Sequence, residues 1–292
     1  MRRLLPTIVL ISVVFMTGCS ASSEETSSEI TATKTSDAVA VTSTIAVDSQ
    51  TAIEANGALV PEGFDSITTA DGRTRSYRVV DLSNGEPAPL LFVLHGFGGS
   101  AEGIGGYVSF DESLVDRYDV HPMVVYPNGT GVEEGLPQSW NAGGCCPFAT
   151  FDLVDDVAFF DELITKITEN YDIDSERVWV VGHSNGGMMA YRLACELSSH
   201  ITAIGVAAGA LMMDSCSPTR PISALHLHGE LDTVVPLAGG EIAGIVFPSA
   251  RDSTDAFSRS GRGSVELVTN ATWSHDWQPE WTDLFAEFLA TQ

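Results

Sequence analysis

The sequence predicts an α/β fold, a mainly parallel sheet with helices on both faces in one domain, and three observations carry that prediction. Short apolar runs such as Leu90–His95, Arg177–Val181 and Ala203–Ala208 alternate with segments of helical period. Strands that are apolar on both faces belong inside a parallel sheet, where helices cover each side. A serine flanked by glycines, Gly182-His183-Ser184-Asn185-Gly186, sits where one such run gives way to a helical pattern. Beyond residue 58 there is neither an internal repeat nor a second-domain boundary, and 292 residues leave room for one large core.

The N-terminal elements come before that domain. Met1-Arg2-Arg3 is basic, and the apolar run Leu4 to Met16 that follows is well short of the ~20 residues of a spanning helix, as in the core of a signal peptide. Met16-Thr17-Gly18-Cys19 resembles the lipobox of bacterial lipoproteins, with Met where Leu is usual, which makes Cys19 the expected lipidation site. The alternative is ordinary secretion with a coincidental cysteine. Ser20–Gly57 is rich in Ser, Thr and Ala without a sustained apolar period, as in a flexible tether. The expected boundaries are a signal peptide over 1–18, a tether over 19–57 and a catalytic domain over 58–292. Export places the mature chain outside the cell or at its surface, with the lipid at Cys19 as its membrane attachment.

Within the domain, Thr74–Asp81 and Leu90–His95 read as strands separated by the turn-forming Ser83-Asn84-Gly85-Glu86-Pro87. Pro122–Tyr126 is a further short apolar run. Phe151–Tyr171 carries apolar residues at 153, 154, 157, 160, 163, 164 and 167, a helical period. Arg177–Val181 is a strand broken at Gly182, Ser184–Leu197 a helix, and Ala203–Ala208 and Ala224–His228 strands. Val265–Thr269 and the amphipathic Trp281–Leu289 close the chain.

Composition narrows the partners. Asp and Glu number 39 against 14 Lys and Arg, a formal charge of −25, of which −22 falls on residues 58–292. Such a surface opposes nucleic acid and anionic lipid, and favours a neutral substrate over a polyanion. Cys145, Cys146, Cys195 and Cys216 remain after Cys19, an even number that suggests two disulfides in an exported chain. Three pairings are open. A Cys145–Cys146 bridge is the least usual, because adjacent residues rarely reach relaxed disulfide geometry. The cysteine spacings lack a zinc-ribbon pattern, and neither a metal nor a cofactor is implied.

The chemistry gathers at the strand ends. Gly-x-Ser-x-Gly between a β-branched strand and a helix is the context of a nucleophile elbow, in which Ser184 has no room for Cβ atoms on either side. A serine hydroxyl needs a histidine to take its proton and a carboxylate to fix that histidine, and in this arrangement the chain order is Ser, acid, His. His226 and His228 lie within one strand, as strand or turn residues first and a metal pair a distant second. Only His275 lies beyond that strand, which makes it the expected base. Gly229-Glu230-Leu231-Asp232 supplies the acid. Asp232 is favoured over Glu230, with Asp252 and Asp255 as fallbacks that read more simply as helix-face charges. The backbone N–H of Asn185, just after the nucleophile, and that of Phe97 in His95-Gly96-Phe97-Gly98-Gly99 are the expected oxyanion donors. Trp140 and Trp277 are candidate walls of an acyl pocket.

Leu94-His95-Gly96-Phe97-Gly98-Gly99-Ser100-Ala101, Ser139–Cys146, Asp155-Asp156-Val157 and the Gly182–Ala194 elbow resemble exported polyhydroxybutyrate-depolymerase and feruloyl-esterase-type hydrolases. His228-Gly229-x-x-Asp232 with Val235-Pro236 is similar to the same family. The resemblance runs from about Phe64 to the C-terminus. It implies an α/β-hydrolase fold and cleavage of carboxylic esters through an acyl-enzyme, with nucleophile, acid and base falling on Ser184, Asp232 and His275. Two departures stand out. Only 42 residues separate Asp232 from His275, and Trp273-Ser274-His275-Asp276-Trp277 replaces the family's Gly-Gly-His-Thr-Trp-Pro-like run. The other classes left standing are a peptidase-type serine hydrolase and a surface binding lipoprotein that reuses the fold without catalysis.

Overall fold

The computed structural model describes residues 51–53, 59–131 and 137–292. The expected signal peptide, the lipidation at Cys19 and nearly all of the tether fall outside those residues. Among them, no helix is long and apolar enough to cross a membrane.

Eight strands form one sheet: β3 (Asp65–Thr68), β4 (Thr74–Asp81), β5 (Ala88–Leu94), β6 (Met123–Pro127), β7 (Ile173–His183), β8 (Ala203–Ala207), β9 (Ile222–Gly229) and β12 (Arg262–Asn270). Their order is β12-β9-β8-β7-β5-β6-β4-β3, parallel from β12 to β6 and antiparallel only where β4 joins β6 and β3 joins β4. Two short antiparallel pairs lie apart from it, β1 (Thr51–Ile53) with β2 (Leu59–Pro61) and β10 (Gly240–Ile242) with β11 (Ile245–Phe247). The helices are α1 (Ala101–Gly105), α2 (Asp156–Asn170), α3 (Asn185–Glu196), α4 (Ala250–Gly261) and α5 (Trp281–Leu289), with a π-helical turn over Asp111–Asp116. This is the α/β-hydrolase architecture the sequence predicts.

The burial pattern follows from position in the sheet. All seven residues of β5 are buried, because β6 and β7 flank it and helices cover both of its faces. Alternate residues feed two cores. Leu90, Phe92 and Leu94 pack with α2 and α3, whereas Leu91 and Val93 pack with α1 and α5. Near the antiparallel margin, β4 alternates instead, with Arg75 and Tyr77 inward.

Some boundaries depart from expectation, and β7 runs through Gly182 to His183 where the sequence reads a break. The helical period read from Phe151 becomes a helix only at Asp156, because Asp155 caps α2 by accepting the N–H of Ala158. The preceding turn holds Leu153 at positive φ, and Phe151 and Leu153 are exposed on it. Both pairs of cysteines are bridged, Cys195 to Cys216 and, against the geometric expectation, Cys145 to its neighbour Cys146.

Candidate active site

The site lies at the carboxyl ends of β5, β7, β9 and β12. At the end of β7 the chain turns into α3 through Ser184, which adopts φ 53° and ψ −118° and is 9% exposed. The left-handed backbone is costly for a residue with a Cβ. It is held by hydrogen bonds from Ser184 N to Ala207 O (2.8 Å) and from Met188 N to Ser184 O (3.0 Å). The flanking glycines are obligatory: a Cβ on Gly182 would run into the backbone of Gly186, and one on Gly186 into the carbonyls of Leu94 and His95.

Asp232 lies in the turn after β9 and His275 in the loop after β12. These two segments are stitched together by Glu230 N to Asn270 O and Leu231 N to Trp273 O, both 3.0 Å. A Cβ on Gly229 would collide with Trp273 O, so the close approach of the two loops requires glycine there. His275 Nε2 lies 2.9 Å from Ser184 Oγ, and His275 Nδ1 lies 2.8 Å from Asp232 Oδ2. The second carboxylate oxygen of Asp232 accepts the N–H groups of Val234 (2.9 Å) and Val235 (2.8 Å). Burial pushes the Asp232 carboxyl upward. Hydrogen bonds from His228 and His275, the charge of His275 and the Val235 N–H outweigh it and hold the group well below the usual carboxylate range. Glu230 is exposed, and Asp252 and Asp255 sit on the exposed face of α4.

Across the serine, Gly99 N donates to Gly96 O at 3.0 Å, which closes a tight turn with Phe97 at its second position and Gly98 at φ +79°. The turn abuts the elbow, since a Cβ on Gly96 would lie 3.3 Å from Ser184 Cβ. Asn185 opens α3, so its N–H has no partner within the helix and the positive end of the helix dipole lies beside Ser184. The arrangement can pass the Ser184 proton to His275 and bring two backbone N–H groups beside a carbonyl under attack.

Several residues that hold this geometry are not singled out by the sequence. His95 is buried; its Nε2 accepts the N–H of Gly129 (3.0 Å), which leaves Nδ1 to donate to Gly96 O (2.8 Å) and fix the Phe97 turn. His183 Nε2 donates to the backbone carbonyl of His275 at 2.7 Å. Burial pushes both histidines down to about 4. Motif reading passes over His183 because it fills a variable position in Gly-x-Ser-x-Gly; its adjacency to the serine was the available signal.

The two tryptophans part company. Trp140 has no exposed surface and is not a pocket wall. Its indole N–H donates to His95 O (2.9 Å), and the Asn185 side chain brackets its main chain, accepting Trp140 N–H (2.7 Å) and donating to Trp140 O (3.0 Å). Arg75 lies over the Trp140 ring and pairs with buried Asp156 at 2.8 Å, and Asp156 also accepts Asn141 N–H at 2.7 Å. Trp140 therefore braces the oxyanion side from within the core. Trp277 is half-buried, with its ring 6.1 Å from that of His183 and 6.4 Å from that of Tyr107, at the edge of the site. Phe97 is 47% exposed and stacks on Phe148 at 5.9 Å, an aromatic surface the sequence does not announce. Among the described residues no His, Cys, Asp and Glu side chains group so as to hold a metal ion; His226 and His228 hydrogen-bond to each other instead.

Residues 76–254 match the family model described as phospholipase/carboxylesterase. A putative esterase, NocK, of Nocardia uniformis subsp. tsuyamanensis is 31% identical over 68% of this chain and 61% of its own length. A probable feruloyl esterase C of Aspergillus terreus is 29% identical over 62% of this chain and 56% of its own. The chain thus spans less than two thirds of the length of these relatives. Among solved structures, a ferulic acid esterase of Anaeromyces mucronatus in complex with ferulic acid superposes with a TM-score of 0.56 at 18% identity, over 78% of this chain and 89% of that one. The Bacillus cereus carboxylesterase gives 0.57 at 15% identity, over 74% and 94%. At such identities the structures speak for the fold.

Proposed function

The chain belongs to the phospholipase/carboxylesterase family, and from that premise we propose that it hydrolyses neutral carboxylic esters through an acyl-enzyme on Ser184. Ser184 Oγ attacks the ester carbonyl while its proton passes to His275 Nε2, and Asp232 holds the imidazole by Nδ1. The N–H groups of Phe97 and Asn185 receive the oxyanion. His275 returns the proton to the departing alcohol; water, activated by the same histidine, then releases the acid and restores Ser184. The observation that carries this reading is the pair of hydrogen bonds at His275, 2.9 Å to Ser184 Oγ and 2.8 Å to Asp232 Oδ2.

Feruloyl-type esters of polysaccharides are the favoured substrates, since relatives bear that name and exposed Phe97, in the oxyanion turn, stacks on half-buried Phe148. Hydroxyalkanoate oligoesters are the alternative that the sequence motifs support. Methyl ferulate, p-nitrophenyl acyl esters and hydroxybutyrate oligomers, offered to wild type and Ser184→Ala, decide between them. Turnover of at least one ester is expected, falling by at least about a thousandfold in the variant. Absence of turnover on every ester, or turnover that survives Ser184→Ala, refutes the proposal. Export and attachment through a lipid on Cys19 belong to the same reading, and mass spectrometry of the mature N-terminus tests them.

A further inference from the structure

Behind the acid lies a line of buried polar side chains for which the acyl-transfer reaction itself has no use. Tyr191 on α3 and His226 and His228 on β9 are wholly buried. Tyr191 Oη lies 2.9 Å from His226 Nδ1, His226 Nε2 lies 3.0 Å from His228 Nδ1, and His228 Nε2 lies 2.8 Å from Val235 O and 3.3 Å from Asp232 Oδ2. Chemistry fixes the proton at one end of this line. A backbone carbonyl and a carboxylate only accept, so His228 carries hydrogen on Nε2. Of the two orders this leaves for the rest of the line, the one in which His228 accepts at Nδ1 aims every donor toward Asp232. In that order His226 donates from Nε2 and accepts at Nδ1, where the Tyr191 hydroxyl donates. The chain Tyr191→His226→His228 ends on the same carboxylate oxygen that faces His275. Burial drives His226 far below the ordinary range and holds the Tyr191 phenol protonated, in keeping with that polarity.

We propose that His228, polarised by His226 and Tyr191, is a positioning residue that shares Asp232 Oδ2 with His275 and so sets both the aim and the basicity of the base. The inference rests on Ser184, His275 and Asp232 being the reacting groups. Aligned donors strengthen one another in a dry interior. Three buried polar residues where apolar ones would pack as well are otherwise an expense without a return. With the His228 donor removed, the carboxylate charge acts on His275 alone, which favours the imidazolium and keeps the base protonated to higher pH. The other titratable groups around this pair are His183 from β7, Asp276 on the loop of His275, and Tyr107, which faces Asp276. All three stay in place when His228 changes.

Two measurements test the proposal. Nitrogen-15 spectra of the histidine rings in the wild-type protein near neutral pH should show His226 and His228 neutral, each with its hydrogen on Nε2. An imidazolium at His228, or hydrogen on Nδ1, overturns the chain without reference to any substrate. In kinetics on the ester that is turned over, His228→Leu should lower kcat about tenfold with KM within about twofold, and move the acid limb of kcat/KM upward by about half a pH unit. His228→Gln, which keeps an N–H within reach of Asp232, should recover most of both, and Tyr191→Phe should shift the limb less and in the same direction. An unmoved acid limb in His228→Leu and Tyr191→Phe refutes the proposal, and if His228→Leu does not fold, Tyr191→Phe alone decides. If no ester is turned over, the functional reading fails while the ring spectra still judge the chain.

Discussion

Ser184 is legible because its glycines are steric requirements and not preferences: the positive φ of the nucleophile and the collisions that a Cβ at 182 or 186 would cause both follow from the motif. Asp232 and His275 follow from chain order, and the structure brings all three side chains within hydrogen-bonding distance. Trp140 shows where that style of reading stops, since whether an aromatic lines a pocket or fills a core depends on what packs over it. His183 stands next to the serine in the sequence, but its contact with the loop of His275 is visible only in three dimensions. It is neutral at ordinary pH, burial having pushed it to about 4, and its single N–H holds the His275 carbonyl. His183→Leu keeps the volume and loses that bond, so the base swings more freely about the loop. The expected result is a kcat lowered by roughly tenfold to a hundredfold with KM nearly unchanged. A proportional rise in KM with unchanged kcat in steady-state kinetics would assign His183 to substrate binding instead.

At the scale of elements, the central strands and α3 are readable because parallel strands are apolar on both faces and α3 is announced by the elbow. β10 and β11, three residues each, carry no such signal, and the start of α2 depends on a cap at Asp155 that a hydrophobic period does not register. Cysteine pairing was equally beyond the sequence, because it depends on which loops the sheet brings together. The Cys195–Cys216 bridge ties the C-terminal turn of α3 to the segment that follows β8, across a sequence separation of 21. A closed loop of that size restrains the unfolded chain by about 3 kcal/mol on the entropic account. Cys195→Ser with Cys216→Ser should therefore lower Tm by roughly 5–10 °C while the elbow, held by backbone contacts at the other end of α3, keeps most of its activity. Calorimetry alongside an ester assay checks both halves. A loss of activity well below the new Tm would mean that α3 transmits the bridge to Ser184.

For the whole molecule, acidity and buried histidines pull stability in opposite directions, and pH separates them. The formal charge of −25 at pH 7 repels itself in the compact state. Salt screens that repulsion, so Tm should hold or rise as NaCl is added near neutrality. The histidines act on the acid side. His95 and His183 have folded values of about 4 against an ordinary 6.5, and His226 lies well below that. Between those values the unfolded chain binds protons that the folded one refuses, so stability rises with pH there and is lost as pH falls below about 6.5. For His95, which is 1% exposed, the loss at pH 5 is about 2 kcal/mol. Asp232 adds the same sign further down, since its contribution is present above the ordinary carboxylate value and fades as pH drops through it. At low salt, protonation of surface carboxylates relieves repulsion and masks this trend; in about 0.5 M NaCl, where the Debye length is only a few ångströms, it should stand clear. Tm measured in that salt should fall steadily from pH 7 to pH 5, and a flat or rising Tm would mean that the buried histidines accept protons without unfolding the chain.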